Sequence, residues 1–228
     1  MLPVMPKLVL FDLDGTLVDS VPDLAFSLDS TLQSLGMAPR GEVAVRRWVG
    51  NGIERLVKRG LTNDMEAEPE GELFARAMAI FRATYADNTS QRSQVYPGVL
   101  EGLQWLQSRG IRRACVTNKA KQFTEPVLMQ LGLSDYLEYV VSGDSLPKRK
   151  PDPMPLLHVA EVLGVEACYC AMVGDSMHDI QAAKAAGFMS IAVPYGYNHG
   201  IDIAESDPDL LVSSIADLER VLLSASVG

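Results

Sequence analysis

Lys7-Leu8-Val9-Leu10-Phe11-Asp12-Leu13-Asp14-Gly15-Thr16-Leu17-Val18-Asp19-Ser20 decides how this chain folds: an apolar run delivers two carboxylates and then breaks at a glycine. Such a run reads as a buried strand. In an open α/β sheet ligands sit beyond the carboxyl ends of the strands, so Asp12 and Asp14 are expected at the mouth of a site. Gly15 permits a sharp turn there and Thr16 adds a hydroxyl. A calcium loop of the EF-hand type needs its glycine at the sixth position, and here the glycine comes two places too early. The blander reading, in which both aspartates merely cap a turn and the helix behind it, weakens because acidic and basic groups return at later strand ends.

With 228 residues and 47% hydrophobic content, the chain can bury a large core, and its length suits one large domain or one domain carrying an insert. No apolar run approaches the ~18 residues of a membrane span. The first residues, Met1 to Lys7, lack a signal-peptide pattern, so the expected location is cytoplasmic. A net charge of −9 argues against binding to nucleic acid or an anionic membrane, and it means that an anionic substrate must meet a locally positive site. Cys115, Cys168 and Cys170 lack zinc-type spacing and read as reduced packing residues; His158, His178 and His199 are too scattered for a ligand cluster.

After the first loop, Ser20 reads as an N-cap and Pro22 suits a first helical turn, with Leu24, Leu28, Leu32 and Leu35 at helical spacing before Gly36. From there to about Gln94 the pattern is helical, over Val45 to Trp48, Ile53 to Leu61 and Leu73 to Tyr85. The acidic segment Thr62 to Glu72 reads as a solvated connection. From Tyr96 onward helix, glycine and strand alternate, which is the grammar of a parallel sheet wrapped by helices. Arg113 to Thr117, Tyr139 to Val141, Tyr169 to Val173, Ser190 to Val193 and Leu210 to Val212 are the expected strands, and Ser214 with Asp217 forms a capping-box pattern ahead of the last helix.

Three more strands end in or lead into polar groups. Val116-Thr117-Asn118-Lys119 offers a hydroxyl and an amide; Lys148-Arg149-Lys150-Pro151-Asp152-Pro153 follows the Ser142-Gly143-Asp144 loop, which has no assigned role; Val173-Gly174-Asp175-Ser176-Met177-His178-Asp179 opens into carboxylates at a helix start. Each has an ordinary reading as a turn, a solvated charge run or a helix cap. Together they bring Asp12, Asp14, Asp175 and Asp179 to one crevice with Thr117 and Lys150, and hard oxygen donors of this kind suit Mg²⁺. Carboxylates so close cannot ionise independently, so one can remain a nucleophilic anion while the other keeps a proton.

In this order the motifs Asp12-Leu13-Asp14-Gly15-Thr16, Thr117, Lys150 of Lys-Pro-Asp-Pro, and Gly174-Asp175-Ser176 with Asp179 resemble those of the haloacid dehalogenase superfamily of aspartate-dependent phosphotransferases. The resemblance implies an α/β fold, a Rossmann-like parallel sheet core over residues 1–20 and 96–228 with an all-helical cap inserted over 21–95. It implies Asp12 as nucleophile, Asp14 as acid/base, Thr117 and Lys150 on the phosphoryl group, and Asn118, Gly15 and Thr16 as substrate contacts. Mg²⁺ would be held by Asp12, Asp175 and the backbone carbonyl of Asp14, with Asp179 and Ser176 behind them orienting Lys150 or the metal shell.

Substrate choice falls to the cap. Gly50, Asn51 and Gly52 permit a tight bend, and Arg55 and Lys58, about one turn apart on a helix, form either exposed basic groups or a cationic lip for a second anion. This segment, with Asp19 to Asp23 and Pro153 to His158, is similar to the phosphoglycolate phosphatase branch of the superfamily, which implies a small phosphomonoester bearing a carboxylate, acted on by a monomer or homodimer. Departures are His178 and the extra charge of Arg149. A phosphatase for sugar or amino-sugar phosphates, a β-phosphoglucomutase-like phosphotransferase and a receiver-like phospho-aspartate signalling domain are the alternatives; the last has little use for the block between Ser20 and Tyr96.

Overall fold

The computed structural model describes residues 5–225. Its strands, in chain order, are β1 (Leu8–Phe11), β2 (Val18–Asp19), β3 (Gln94–Val95), β4 (Arg112–Val116), β5 (Tyr139–Val141), β6 (Cys170–Gly174), β7 (Met189–Ala192) and β8 (Leu210–Leu211). The helices are α1 (Val21–Ser34), α2 (Gly41–Trp48), α3 (Ile53–Thr62), α4 (Gly71–Ala86), α5 (Val99–Ser108), α6 (Lys121–Gln130), α7 (Met154–Val162), α8 (Met177–Ala186) and α9 (Leu218–Ala225). Six strands form one parallel sheet in the order β5-β4-β1-β6-β7-β8. No helix among the described residues is long and apolar enough to cross a membrane.

Each layer follows from the alternation along β1. Val9 and Phe11 face a cluster with Leu103 and Leu106 of α5, Val127 and Leu128 of α6, and Leu218 and Leu222 of α9. Leu8 and Leu10 face the other way, onto Leu156 and Val159 of α7 and Ala182 and Ala183 of α8. The central strand is therefore apolar on both sides, as a sheet covered by helices on both faces requires. Cys115 and Cys170 are buried in strands as packing residues, and Cys168 is exposed in the turn before β6. The register pairs Phe11 with both Cys115 and Val173, so β1, β4 and β6 run out at one level and their next residues open at one edge.

Helices α1 to α4 pack on one another around Leu24, Leu28 and Leu32 of α1, Trp48 of α2, Leu56 and Val57 of α3, and Phe81 and Tyr85 of α4. This second cluster also takes in Phe123 of α6 and Tyr197, so the helical block is seated on the sheet layer by apolar contact. The helices are longer than their periodic cores suggest, because α2 begins at Gly41 and α4 at Gly71. Ser20 occupies the position before α1 but its side chain caps nothing there. The capping box of Ser214 and Asp217 does form: the Asp217 carboxylate accepts from the Ser214 backbone at 3.1 Å, and the Ser214 hydroxyl accepts from Ala216 N–H at 3.3 Å.

The chain passes into and out of the helical block side by side. β2 and β3 pair antiparallel, with Val18 opposite Val95 and Asp19 opposite Gln94, a ribbon too short to leave any periodicity in the sequence. Beside it, fully buried Asp23 accepts from the backbone of Arg92 at 3.0 Å, from Ser93 N–H at 2.8 Å and from the Ser93 hydroxyl at 2.6 Å, with the Arg92 guanidinium 3.4 Å away. A buried carboxylate spread over several donors locks the outgoing strand to the first turn of α1. Asp23→Ala should lower the unfolding free energy by about 2–4 kcal/mol, since it strands buried donors. Urea unfolding measures this, and a loss under about 1 kcal/mol would show that the crossing is held elsewhere.

Candidate active site

Where β1 ends, Asp12 N–H donates to Val173 O at 3.0 Å, and the carboxylate emerges beside the end of β6. Lys150 Nζ lies 2.9 Å from Asp12 Oδ1 and 2.6 Å from Asp179 Oδ1, buried between them. Both are close ion pairs whose angles fall short of aligned hydrogen bonds. Asp179 is held in turn from behind: its Oδ2 accepts from Ser176 N–H at 3.1 Å and from the Ser176 hydroxyl at 2.8 Å, closing a capping box on α8. Gly174 makes this possible, because a Cβ there would stand 2.3 Å from that of Asp179.

Asp175 completes the group. Its Oδ1 accepts from the Thr16 hydroxyl at 2.8 Å and its Oδ2 from Tyr197 N–H at 2.6 Å. Gly15 adopts φ +91°, and a Cβ on it would sit 2.2 Å from Asp175 Oδ2. Gly15 and Thr16 therefore do not reach the cavity as the expected substrate contacts. Both are turned onto Asp175, because buried carboxylate oxygens take up the nearest donor and the closest backbone.

Asp12, Asp175 and Asp179 each offer an oxygen such that all lie within 4.8 Å of one another. Burial, opposed by Lys150 and reinforced by Asp179 and Asp14, pushes the Asp12 carboxyl up to about 6. Burial, then Asp12 and Asp179, raises Asp175 well above the usual carboxylate range. Burial also disfavours the Lys150 ammonium, but Asp12 and Asp179 outweigh it and keep the lysine protonated. When all three are ionised, these carboxylates carry two more negative charges than the one ammonium between them offsets. Clustered hard oxygen donors with that excess fit a divalent cation such as Mg²⁺.

Asp14, the second carboxylate of the loop, is ion-paired to a lysine of its own. Lys119 Nζ, itself buried, lies 3.1 and 3.2 Å from the two Asp14 oxygens and also donates to the hydroxyl of Tyr85, which comes down from α4. Burial pushes the Tyr85 hydroxyl up to about 12, so it stays neutral behind the pair. Lys119 was legible only as the tail of the Thr117-Asn118 motif, and its partner in the helical block lies 34 residues away.

Thr117 is buried at the end of β4 and its hydroxyl accepts from Lys119 N–H at 3.2 Å. Asn118 donates its amide to Lys150 O at 3.1 Å, while its buried Oδ1 has no hydrogen-bond partner. In the Ser142-to-Asp144 loop, the Asp144 carboxylate accepts from Lys121 N–H at 2.8 Å, and Gly143 leaves room for the Asn118 carbonyl, which a Cβ would meet at 2.1 Å.

Gly50, Asn51, Gly52, Arg55 and Lys58 line the same cavity as Asp12, Asp14, Thr117, Asn118, Lys150 and Asp175; it encloses about 530 Å³. The bend is built by a residue the sequence did not single out: buried Arg59 donates to Trp48 O at 2.6 Å, to Asn51 Oδ1 at 2.9 Å and to Met65 O at 3.1 Å. Arg55 and Lys58 are not a free cationic lip. Arg55 pairs with Glu66 and, at 2.9 Å, with Glu68, and Lys58 pairs with Glu68 at 2.6 Å. The acidic connection is solvated as expected, and from the surface its glutamates pair with these two cations. On the opposite rim, Asn51 Nδ2 lies 3.5 Å from His178 Nε2.

Residues 9–193 match the family model described as haloacid dehalogenase-like hydrolase. The chain is 54% identical to a phosphoglycolate phosphatase of Nitrosococcus oceani, over 97% of this chain and 98% of that protein. It is 46% identical to phosphoglycolate phosphatase 1 of Pseudomonas aeruginosa, over 94% of this chain and 79% of that one. A crystal structure of a predicted phosphoglycolate phosphatase from Haemophilus somnus superposes with a TM-score of 0.88 at 35% identity, over 94% of this chain and 97% of that one. Strand ends that gather Asp12, Asp14, Thr117, Lys150 and Asp175 around one cavity, and a family match that spans them, lead to one conclusion: the chain belongs to the haloacid dehalogenase-like hydrolases.

Proposed function

We propose that the protein hydrolyses 2-phosphoglycolate to glycolate and phosphate through a phospho-aspartate on Asp12. The observation that carries this reading is that Asp12 and Asp14 stand at one strand end, each ion-paired to its own buried lysine and both lining one cavity. Relatives named phosphoglycolate phosphatase at 54% and 46% identity support the substrate.

In this reaction an Asp12 oxygen attacks phosphorus, Lys150 and Thr117 hold the phosphoryl oxygens, and the Asn118 amide holds the Lys150 backbone in place. Asp14 gives its proton to the leaving oxygen and later takes one from the water that cleaves the phospho-aspartate. Lys119 fixes the position of Asp14, and buried Tyr85 closes off the pair from behind. Asp12, Asp175 and the Asp14 backbone carbonyl would hold Mg²⁺, which supplies Lewis-acid neutralisation of the phosphoryl oxygens when bound. Residues 21–95 act as a cap over a core of 1–20 and 96–228, and excluding water until the leaving group departs protects the intermediate.

Phosphate release in Mg²⁺ from a panel of 2-phosphoglycolate, hexose phosphates, an amino-sugar phosphate and nucleoside monophosphates tests the substrate, and a preference for any of the others would replace it. Asp12→Asn should reduce turnover to below about a thousandth while leaving the melting temperature within a few degrees; activity near that of the unsubstituted protein would sink the mechanism. Metal affinity should also depend on pH. With Asp12 raised to about 6 and Asp175 raised well above the usual carboxylate range, protons compete with the ion, so Mg²⁺ binding should weaken as the pH falls, by about tenfold per pH unit for each proton displaced. Calorimetric titration from pH 7 to pH 5 measures the slope, and a flat affinity would mean that neither carboxylate is among the ligands.

A further inference from the structure

Six cations line the cavity: Arg55, Lys58, Arg82, Lys119, Arg149 and Lys150. Five of them are matched to carboxylates. Arg55 and Lys58 meet Glu66 and Glu68, Arg82 lies 3.5 Å from Glu54, Lys119 holds Asp14, and Lys150 bridges Asp12 and Asp179. Among the described ion pairs Arg149 alone of the six takes no part. Its backbone is nevertheless fixed, because its carbonyl accepts from Asp152 N–H at 3.0 Å and the carbonyl of the next residue, Lys150, accepts from Asn118 at 3.1 Å. Its guanidinium faces the bend of the helical block, with Nη1 3.4 Å from the place a Cβ on Gly52 would take.

We infer that Arg149 is the specificity-determining residue for the substrate's carboxylate, an inference that rests on the phosphoglycolate reading above. A carboxylate approaching Arg55 or Lys58 must compete with glutamates already in place, whereas at Arg149 it meets an unmatched guanidinium whose fork accepts two carboxylate oxygens at once. Arg149 adjoins Lys150, which holds the phosphoryl group in the proposed reaction, so one short stretch of chain reads both ends of a two-carbon substrate. The second anionic group is then recognised from the sheet layer, with Gly52 leaving room for the arginine, and the helical block closes over it.

The test compares 2-phosphoglycolate with 2-hydroxyethyl phosphate, which has the same length and no carboxylate. Both substrates are measured on the same preparation, so the ratio of their kcat/KM values does not depend on the folded fraction. Arg149→Met should lower that ratio by about tenfold or more, mainly through KM for 2-phosphoglycolate, and Arg149→Lys should recover part of it. Arg55→Met should change the ratio by about threefold or less. An unchanged ratio in Arg149→Met overturns the inference, as does an equal fall in kcat on both substrates, which would mean that the residue acts through Lys150. If the unsubstituted protein itself shows no preference between the two substrates, the phosphoglycolate reading fails and the role of Arg149 with it.

Discussion

The carboxylate cluster at the strand ends depends on one buried ammonium. Lys150 sits between Asp12 and Asp179, each within 2.9 Å, and without it three carboxylates would face one another in a poorly solvated crevice. Removing a buried charge partner is costly because the charge left behind is neither hydrated nor matched. The elements around the lysine are arranged accordingly. Asp179 is pinned by Ser176, Gly174 yields the space, and the Asn118 amide holds the lysine's own backbone. The two negative charges that the lysine leaves unmatched in the fully ionised cluster are the electrostatic reason for a site of this kind to take a divalent ion.

How much of this was legible follows from sequence distance and chemistry. Strand ends could be read because an apolar run followed by Asp or Thr is a local pattern, and the helical block because its leucines recur at helical spacing. Lys119, Arg59, Asp23 and Tyr197 could not, since their partners lie far off in sequence or on an element whose placement the pattern does not encode. Glu66 and Glu68 do lie on a solvated connection, but their pairing with Arg55 and Lys58 is not legible in an acidic run, because it depends on where that run passes the helix. Gly15 and Thr16 were placed in the right loop but assigned to the wrong neighbour. Composition cannot tell a side chain aimed into a crevice from one aimed at the carboxylate behind it.

Tyr197 links the two halves of the molecule more directly than the apolar contacts do. Its N–H donates to Asp175, while its ring oxygen bonds with the Asp19 carboxylate and accepts from Ser20 N–H at 3.0 Å at the start of the helical block. Arg46 of α2 lies 3.0 Å from the same Asp19 carboxylate and over the Tyr197 ring. The start of the helical block and a buried site carboxylate are thereby tied to one residue, the first through its side chain and the second through its backbone.

The β2–β3 ribbon has a consequence for how this architecture can vary. Because the chain leaves the sheet layer at Asp19 and returns opposite it at Gln94, the two ends of the helical block are neighbours on one ladder. A block entered and left at a single doorway can be lengthened, shortened or exchanged without rethreading β1 past β4, and closing the gap costs little chain entropy. The roof over the cavity is then a replaceable module on a fixed floor, so a change of roof need not disturb the carboxylates and lysines beneath it.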